Sequence, residues 1–386
     1  MNRMKVMVSC VLAFMLLFSI AACGGGTPAP TNPTEPSGAT EPAGEGTPLK
    51  VGIVTTSGVD DGSFGQDCYN GILAFQKNHP EVKVDAIKEP DVSKVLDAVA
   101  DVIANYDVLV LPGFQFAAAG SIAADNPDKK IILVDTAPTD AEGNTVELDN
   151  VYSMLFREEE SGFFAGIAAA LESKTGKVAV VNGIAYPSNV NYQYGFMSGV
   201  NYANKHFGSA AEYLELPSYA GTDVTGKNVG GNYIGAFADE ATGKVVGAAL
   251  IDQGVDVLFV AAGASGNGVF AAAKEADNVW LVGCDVDQYD DGAKGDKNIM
   301  LTSGLKVMHS NVERQLEEIY NGTFKGQNVV LGADTDSTGY VSAEGRHQLS
   351  EDTLAKLKEA YDLLKAGSIV PAANFNEQAP DNFPGL

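Results

Sequence analysis

Residues 256–288 read DVLFVAAGASGNGVFAAAKEADNVWLVGCDVDQ. An apolar run from Val257 to Ala261 breaks into a glycine-rich turn, Gly263-Ala-Ser-Gly-Asn-Gly268. A helix-favouring stretch from Val269 to Ala276 follows, and a second apolar run spans Val279 to Val282. That order is one βαβ unit. Runs that are apolar at every position belong to parallel strands buried on both faces, and a parallel pair needs a crossover, here a helix. Open α/β sheets take ligands outside the carboxyl ends of their strands. In this unit those ends carry Gly263 to Gly268 and Asp285-Val-Asp287-Gln288, so backbone amides and carboxylates converge on one spot.

The same rhythm extends in both directions. Apolar strands are predicted over 49–55, 83–87, 108–111 and 131–134, with helices over 64–77, 92–105 and 116–125 between them. After Arg157-Glu-Glu-Glu160 comes a helix of Gly, Ala, Phe and Leu, Ser161 to Leu171, whose small residues permit close packing and suit a segment wedged between two lobes. The alternation then restarts: strand 177–182, helix 192–207, strand 212–216 and helix 240–253 lead back to the opening unit. A strand at 299–303 and a helix at 306–321 follow and are expected to return to the first lobe, with helix 351–366 in a peripheral layer. The fold class is therefore α/β, two doubly wound Rossmann-like lobes with a cleft between them. The first lobe is expected to comprise 49–158 plus about 285–322, the second about 159–284 plus 323–386.

Length and charge narrow the function. The chain has 386 residues, enough for two domains, and a formal charge of -25. Its only arginines are Arg3, Arg157, Arg314 and Arg346. Nucleic acid is not an expected partner, because binding it needs a basic face, and a heavily phosphorylated ligand is disfavoured by the scarcity of bidentate Arg clamps. The histidines are scattered, and no Cys or His spacing suggests a metal site.

The first segment reads as an export signal. Arg3 and Lys5 precede an apolar core from Val6 to Ile20, which ends in Ile20-Ala21-Ala22-Cys23. This resembles a bacterial lipobox, and the resemblance implies that residues 1–22 are removed and that Cys23 carries lipid. The apolar run is below the ~20 residues needed to span a bilayer. From 24 to 47 the composition is Gly, Pro, Thr, Ala and Glu, too poor in large apolar residues to fold, so 23–48 is expected to be a lipidated tether. Cys68 and Cys284 are read as two buried thiols rather than a disulfide framework.

Five motifs occur in order along the body: Asp60-Asp61-Gly-Ser-Phe64; Asn150-Val-Tyr-Ser153 with Phe156-Arg-Glu-Glu159 and Gly162-Phe-Phe-Ala-Gly166; Ala261-Ala-Gly263 with Gly266-Asn-Gly-Val269; Gly283-Cys-Asp285-Val-Asp287-Gln288; and Thr302-Ser-Gly-Leu-Lys306. Together they resemble the basic membrane protein family, bacterial substrate-binding lipoproteins of ABC transporters that include purine-nucleoside binders. The resemblance implies a type I periplasmic-binding fold, no enzymatic activity, no cofactor, a nucleoside as ligand and ABC permease subunits as partners. It places the chain on the extracytoplasmic face of the cell membrane through its lipid anchor. A monomer is expected.

A nucleoside offers a flat base and a ribose with vicinal hydroxyls, so its site needs aromatic faces, carboxylate acceptors and a balancing cation. Phe64 reads as either a core residue at a helix start or, by the resemblance, a base-stacking face. Tyr192 is the candidate for the opposite face, with Tyr194 and Phe196 competing. Asp285 is expected to accept from ribose hydroxyls, with Asp287 as its structural neighbour. Lys306 is expected to meet Asp285 across the cleft, and Gly263 to let the backbone approach the sugar. Asp60 and Asp61 would contact the base or cap the helix that follows. Nucleoside binders carry Asn after the stacking Phe, whereas this chain has Gly65; Gln66, Gln115 or Asn189 would have to supply the missing amide.

Other readings compete. The glycine turn lacks GxGxxG spacing, and no G-x-S-x-G elbow or His-centred triad stands out, so an enzyme is disfavoured. A binding protein for a sugar or a riboflavin-like ligand, and an extracytoplasmic ligand sensor, are the alternatives.

Overall fold

The computed structural model describes residues 48–374 and 376–386; the segments expected to be an export signal and a tether, Cys23 included, lie outside them but for residue 48. The chain begins with β1 (Lys50–Thr55), α1 (Phe64–Asn78), β2 (Lys83–Lys88), α2 (Val95–Val102), β3 (Val108–Pro112), α3 (Ala119–Asp125), β4 (Lys130–Val134) and β5 (Val151–Phe156). It continues with α4 (Glu158–Glu172), β6 (Lys177–Asn182), α5 (Pro187–Tyr202), β7 (Glu212–Tyr213), a small hairpin of β8 (Gly221–Thr222) and β9 (Asn228–Gly230), and α6 (Glu240–Asp252). The opening motif forms β10 (Val257–Ala261), α7 (Gly266–Glu275) and β11 (Trp280–Asp285). A second hairpin, β12 (Ala293–Lys294) and β13 (Lys297–Asn298), leads to β14 (Met300–Lys306), α8 (His309–Tyr320), β15 (Gln327–Leu331), β16 (Thr338–Tyr340) and α9 (Glu351–Lys365).

Two six-stranded sheets result, in the orders β15-β5-β4-β3-β1-β2 and β16-β14-β11-β10-β6-β7. Position by position the two orders are equivalent, which makes the lobes alike in topology. All ladders in both sheets are parallel except β14 with β16. The central strands β3 and β10 are buried along their whole length, which explains why their sequences are apolar at every position. Helices cover both faces, and separate apolar clusters fill the two sides of each sheet.

The chain passes between the lobes three times: from β5 to α4, from β14 to α8, and from β15 to β16. These crossings correct the expected boundaries. Strand 300–306 does not return to the first lobe; it pairs in parallel with β11, Cys284 beside Gly304 and Asp285 beside Leu305. Its helix α8 does return, burying Met308, Val312 and Leu316 against Ile72 and Phe75 of α1. Residues 327–331, assigned to the second lobe from sequence, instead form the edge of the first sheet beside β5. The strand is short and only its last residue is fully buried, so it carries little apolar signal. Several bounds also move: Pro187 starts α5 earlier than expected, and Lys306 still belongs to a strand.

Helix α4 is not wedged between lobes. It packs along α5 within the second lobe, where Gly162 and Gly166 face Gly195 and Gly199 of α5. An added Cβ would lie 2.1 Å from the Phe196 carbonyl oxygen at Gly166 and 2.1 Å from the Phe163 carbonyl oxygen at Gly199. The helices therefore touch backbone to backbone, and no side-chain rotation can relieve a new methyl. Gly166→Ala is expected to lower stability by about 1–3 kcal/mol, the usual cost of overpacking a tight core. Urea denaturation measures this, and an unchanged midpoint would mean that α4 and α5 separate readily.

Candidate functional site

The carboxyl ends of both sheets face one cavity. From the first lobe it is walled by the loop after β1, the start of α1, the turn after β3 and the end of β4; from the second, by the start of α5, the loop before α6, the turn before α7 and the ends of β10, β11 and β14. Each wall is shaped locally. Asp61 is buried and gathers the loop before α1: its Oδ1 accepts from Ser63 N at 3.0 Å and Gln66 N at 3.0 Å, and its Oδ2 from Gly65 N at 2.9 Å. Asp61 thus caps α1 and turns Phe64 into the cavity wall. Asp60 is exposed and does not line the cavity. The absence of an amide after Phe64 has a steric cause: a Cβ on Gly65 would lie 2.0 Å from the Gly58 carbonyl oxygen.

The polar floor is built symmetrically. The fourth strand of the first lobe ends at Asp135 and the equivalent strand of the second ends in Asp285; both aspartates are left-handed, with φ of 65° and 69°. Non-glycine residues in that region carry strain of about 1 kcal/mol or more and concentrate at functional positions. Lys306 lies between them, its Nζ 2.6 Å from Asp135 Oδ2, 3.6 Å from Asp285 Oδ1 and 3.7 Å from Glu158 Oε1. Lys306 meets Asp285 within one sheet, on adjacent strands, and not across the cleft as the sequence suggested; its partner across the cleft is Asp135. Its ammonium also sits 4.6 Å from the centroid of the Phe64 ring.

Burial by itself would lower the Lys306 pKa, but the charges of Asp135, of Asp285 and, when it is ionised, of Glu158 outweigh it and hold the ammonium above the ordinary lysine range. Burial raises Asp135, against the pull of Lys306. Burial, then the charge of Asp135, pushes Glu158 well above its ordinary value. Asp135 Oδ1 is buried without an amide, ammonium or hydroxyl donor, and the Glu158 carboxyl lies within hydrogen-bonding reach of Asp135. Asp285, in contrast, is satisfied on both oxygens: Tyr192 OH donates to Oδ1 at 2.7 Å and Ser63 Oγ, from the first lobe, to Oδ2 at 2.9 Å. A second cross-lobe bond runs from Gln288 Nε2 to the Gly62 carbonyl at 3.2 Å.

Of the residues expected from sequence, Phe64, Gln115, Tyr192, Gly263, Asp285 and Lys306 all line the cavity. Tyr192 is not an open aromatic face, however. Its ring is buried edge-on against Phe259, and its hydroxyl is engaged with Asp285. Phe196 is a core residue stacked on the same Phe259, and Tyr194 does not line the cavity. The aromatic faces missed from sequence are Phe114, Tyr186 and Phe237: ring centroids are 5.3 Å apart for Phe114 and Tyr186, and 6.0 Å for Tyr186 and Phe237. They sit in turns, where no periodicity marks them. Asp135 was also missed, although it ends an apolar strand as Asp285 does. Asp287 lies outside the cavity and pairs with Arg346, whose Nε is 2.7 Å from Oδ2. Cys68 and Cys284 are free and buried, and burial pushes both thiols well up.

Two Rossmann-like lobes joined by three crossings, with a charged floor in the cleft between them, define the type I periplasmic-binding fold. Residues 49–216 and 226–371 match the Bmp family, described as ABC transporter substrate-binding protein PnrA-like, and the chain belongs to that family. It is 30% identical over 340 residues to the CD4+ T-cell-stimulating antigen of Listeria monocytogenes, covering 83% of this chain and 87% of that one. It is 29% identical over 302 residues to the ABC transporter nucleoside-binding protein BmpA of Lactococcus lactis, covering 74% and 78%. A solute-binding protein of an ABC transporter system from Aeropyrum pernix shares the fold with a TM-score of 0.70 and 23% identity, covering 86% of this chain and 95% of that one. Extracytoplasmic ligand capture, with a small-molecule ligand and permease partners, is the role of this family. Among the described residues no helix is long and apolar enough to cross a membrane, and no cluster of His, Cys, Asp and Glu is arranged to hold a metal ion.

The raised Glu158 has a measurable consequence. The folded chain holds a proton there that the unfolded chain releases above the ordinary value of 4.5. Its contribution is therefore fully present below that pH and is lost as pH rises through the folded value. Glu158→Gln keeps an acceptor for Asn191 Nδ2, now 2.9 Å from the carboxylate, and removes the titration. Urea midpoints measured from about pH 4.5 upward are expected to fall less steeply in the variant; parallel slopes would show that Glu158 does not carry the proton.

Proposed function

We propose that the ligand is a nucleoside, foremost a purine nucleoside, captured between the lobes and passed to the permease. The observation that carries this reading is one cavity combining aromatic walls with a buried carboxylate and ammonium floor. Phe64, Phe114, Tyr186 and Phe237 supply flat faces on which a base stacks. Asp135 Oδ1 accepts from no amide, ammonium or hydroxyl of the described residues. A ribose hydroxyl supplies such a donor and can accept from Lys306 in return. Gly263 lines the cavity with φ of 53°, a backbone conformation that glycine adopts freely. The similarity to a relative named as nucleoside-binding supports the same reading.

Asp285 is bonded to Ser63 of the opposite lobe, so ligand and closure share the same atoms. A ligand touching both walls stabilises the closed arrangement and shifts the population towards it. The body acts as a monomer, held to the membrane by lipid on Cys23. Two or three acyl chains, at ~0.8 kcal/mol per buried CH₂, suffice for stable anchoring.

Thermal shift with calorimetry against nucleosides, free bases, sugars and riboflavin tests the ligand. Inosine, guanosine or adenosine at a hundred times its dissociation constant is expected to add ~2.7 kcal/mol of stability, with no response to ribose or the bare base. A response confined to a sugar or to riboflavin would refute the nucleoside reading. Asp285→Ala, which strands the Ser63 and Tyr192 hydroxyls, is expected to weaken binding by about a hundredfold while the chain stays folded. For the anchor, Cys23→Ala is expected to move the protein from the membrane to the soluble fraction; unchanged membrane retention would rule out lipid at that residue.

A further inference from the structure

The amide groups of the cavity are not free to turn, and their orientation constrains the ligand. Asn189, in the first turn of α5, is buried, and its Nδ2 donates to the Ala261 carbonyl at 2.8 Å and to Asn182 Oδ1 at 3.3 Å. A carbonyl oxygen only accepts, so the NH₂ end of Asn189 must face Ala261; the reversed amide would set two oxygens against each other. The residue lines the cavity, and no described residue donates to its Oδ1. That oxygen is what Asn189 offers a ligand.

Gln115 repeats the pattern from the opposite lobe. Its Nε2 turns back to the Pro112 carbonyl at 3.3 Å and to Thr56 Oγ1 at 3.5 Å, leaving Oε1 without a described donor. The only lysine in the lining is Lys306, which is already surrounded by three carboxylates, and no arginine lines the cavity. Beyond the ribose floor, the side-chain amides thus present acceptors from both walls. A ligand edge that also accepts would leave two buried oxygens unpaired, whereas an edge that donates satisfies them.

Resting on the nucleoside reading above, we propose that Asn189 is a specificity-determining residue whose Oδ1 accepts from an exocyclic amino group of the base. Amino-bearing nucleosides are then preferred over analogues that lack the amino group. Gln115 provides the corresponding acceptor on the other wall.

Two matched pairs test this by calorimetry on the full chain: guanosine with inosine, which differ by the 2-amino group, and adenosine with purine riboside, which differ by the 6-amino group. The amino-bearing member of at least one pair is expected to bind about tenfold tighter, the worth of one such hydrogen bond. In Asn189→Ala that ratio is expected to fall towards one while the affinity for the member lacking the amino group is retained. A merely structural role for Asn189 would instead weaken both members alike and leave the ratio intact, which overturns the assignment. Should Asn189→Ala fail to fold, the pairs measured on the unaltered chain decide: equal affinities within both pairs overturn the inference and leave the nucleoside reading standing. Failure of every nucleoside to bind is a different result, and it removes the nucleoside reading itself.

Discussion

Lys306 is a buried ammonium whose charge is held by the acidic side chains of Asp135, Asp285 and Glu158 around it. Removing two charges from water costs several kcal/mol per ion, which close geometry and further hydrogen bonds have to offset. Here the four groups come from four places: Asp135 from the end of β4, Glu158 from the start of α4, Asp285 from the end of β11 and Lys306 from the end of β14. Two of these places are crossings between lobes. The ion cluster therefore couples the registers of both sheets to the geometry of the hinge, and it does so directly beneath the cavity.

Much of the surrounding polar sequence serves this scaffold. Asn150 is buried and donates to the carbonyls of Ala123, Asn126 and Lys129, fixing the entry to β5. Glu160 accepts from Ala333 N at 2.7 Å and from the Thr338 hydroxyl, so the first crossing is tied to the third. Arg157 adds a bond from Nη1 to Asp334 at 3.1 Å in the same region. In the fold, Glu158 and Glu160 tie the crossings together.

Residue patterns exposed some of the site and concealed the rest for identifiable reasons. Asp285 and Gly263 were legible because strand ends of a parallel sheet are marked by continuous apolar runs, and ligand sites follow them. Phe64 stayed open between a core residue and a stacking face on its own residues, and only the family resemblance made it a candidate for the cavity wall. Tyr192 was misread in role: helical position alone cannot tell an aromatic ring facing a cavity from one supporting it, and the choice is made by Phe259 and Asp285, about 70 and 90 residues away in the chain. Tyr186 and Phe237 flank the same wall but lie in turns, outside any periodic pattern. Asp135 had the same signal as Asp285, an aspartate closing an apolar strand, and the equivalence becomes plain only when the two strand orders are laid side by side.

The sequence by itself determined the α/β class, the two-lobed organisation, and the convergence of glycine turns and carboxylates at strand ends. Those features follow from local periodicity and from the burial of parallel strands on both faces. Tertiary structure alone decided the partition of the crossings, because strand pairing is set by long-range packing and a strand's own residues do not name its neighbour. It also decided that Lys306 pairs across the cleft with Asp135, that Asp61 caps while Asp60 faces solvent, and that Gly65 admits no side chain. Each of these depends on atoms brought within a few ångströms by distant parts of the chain. Only the folded backbone fixes such distances.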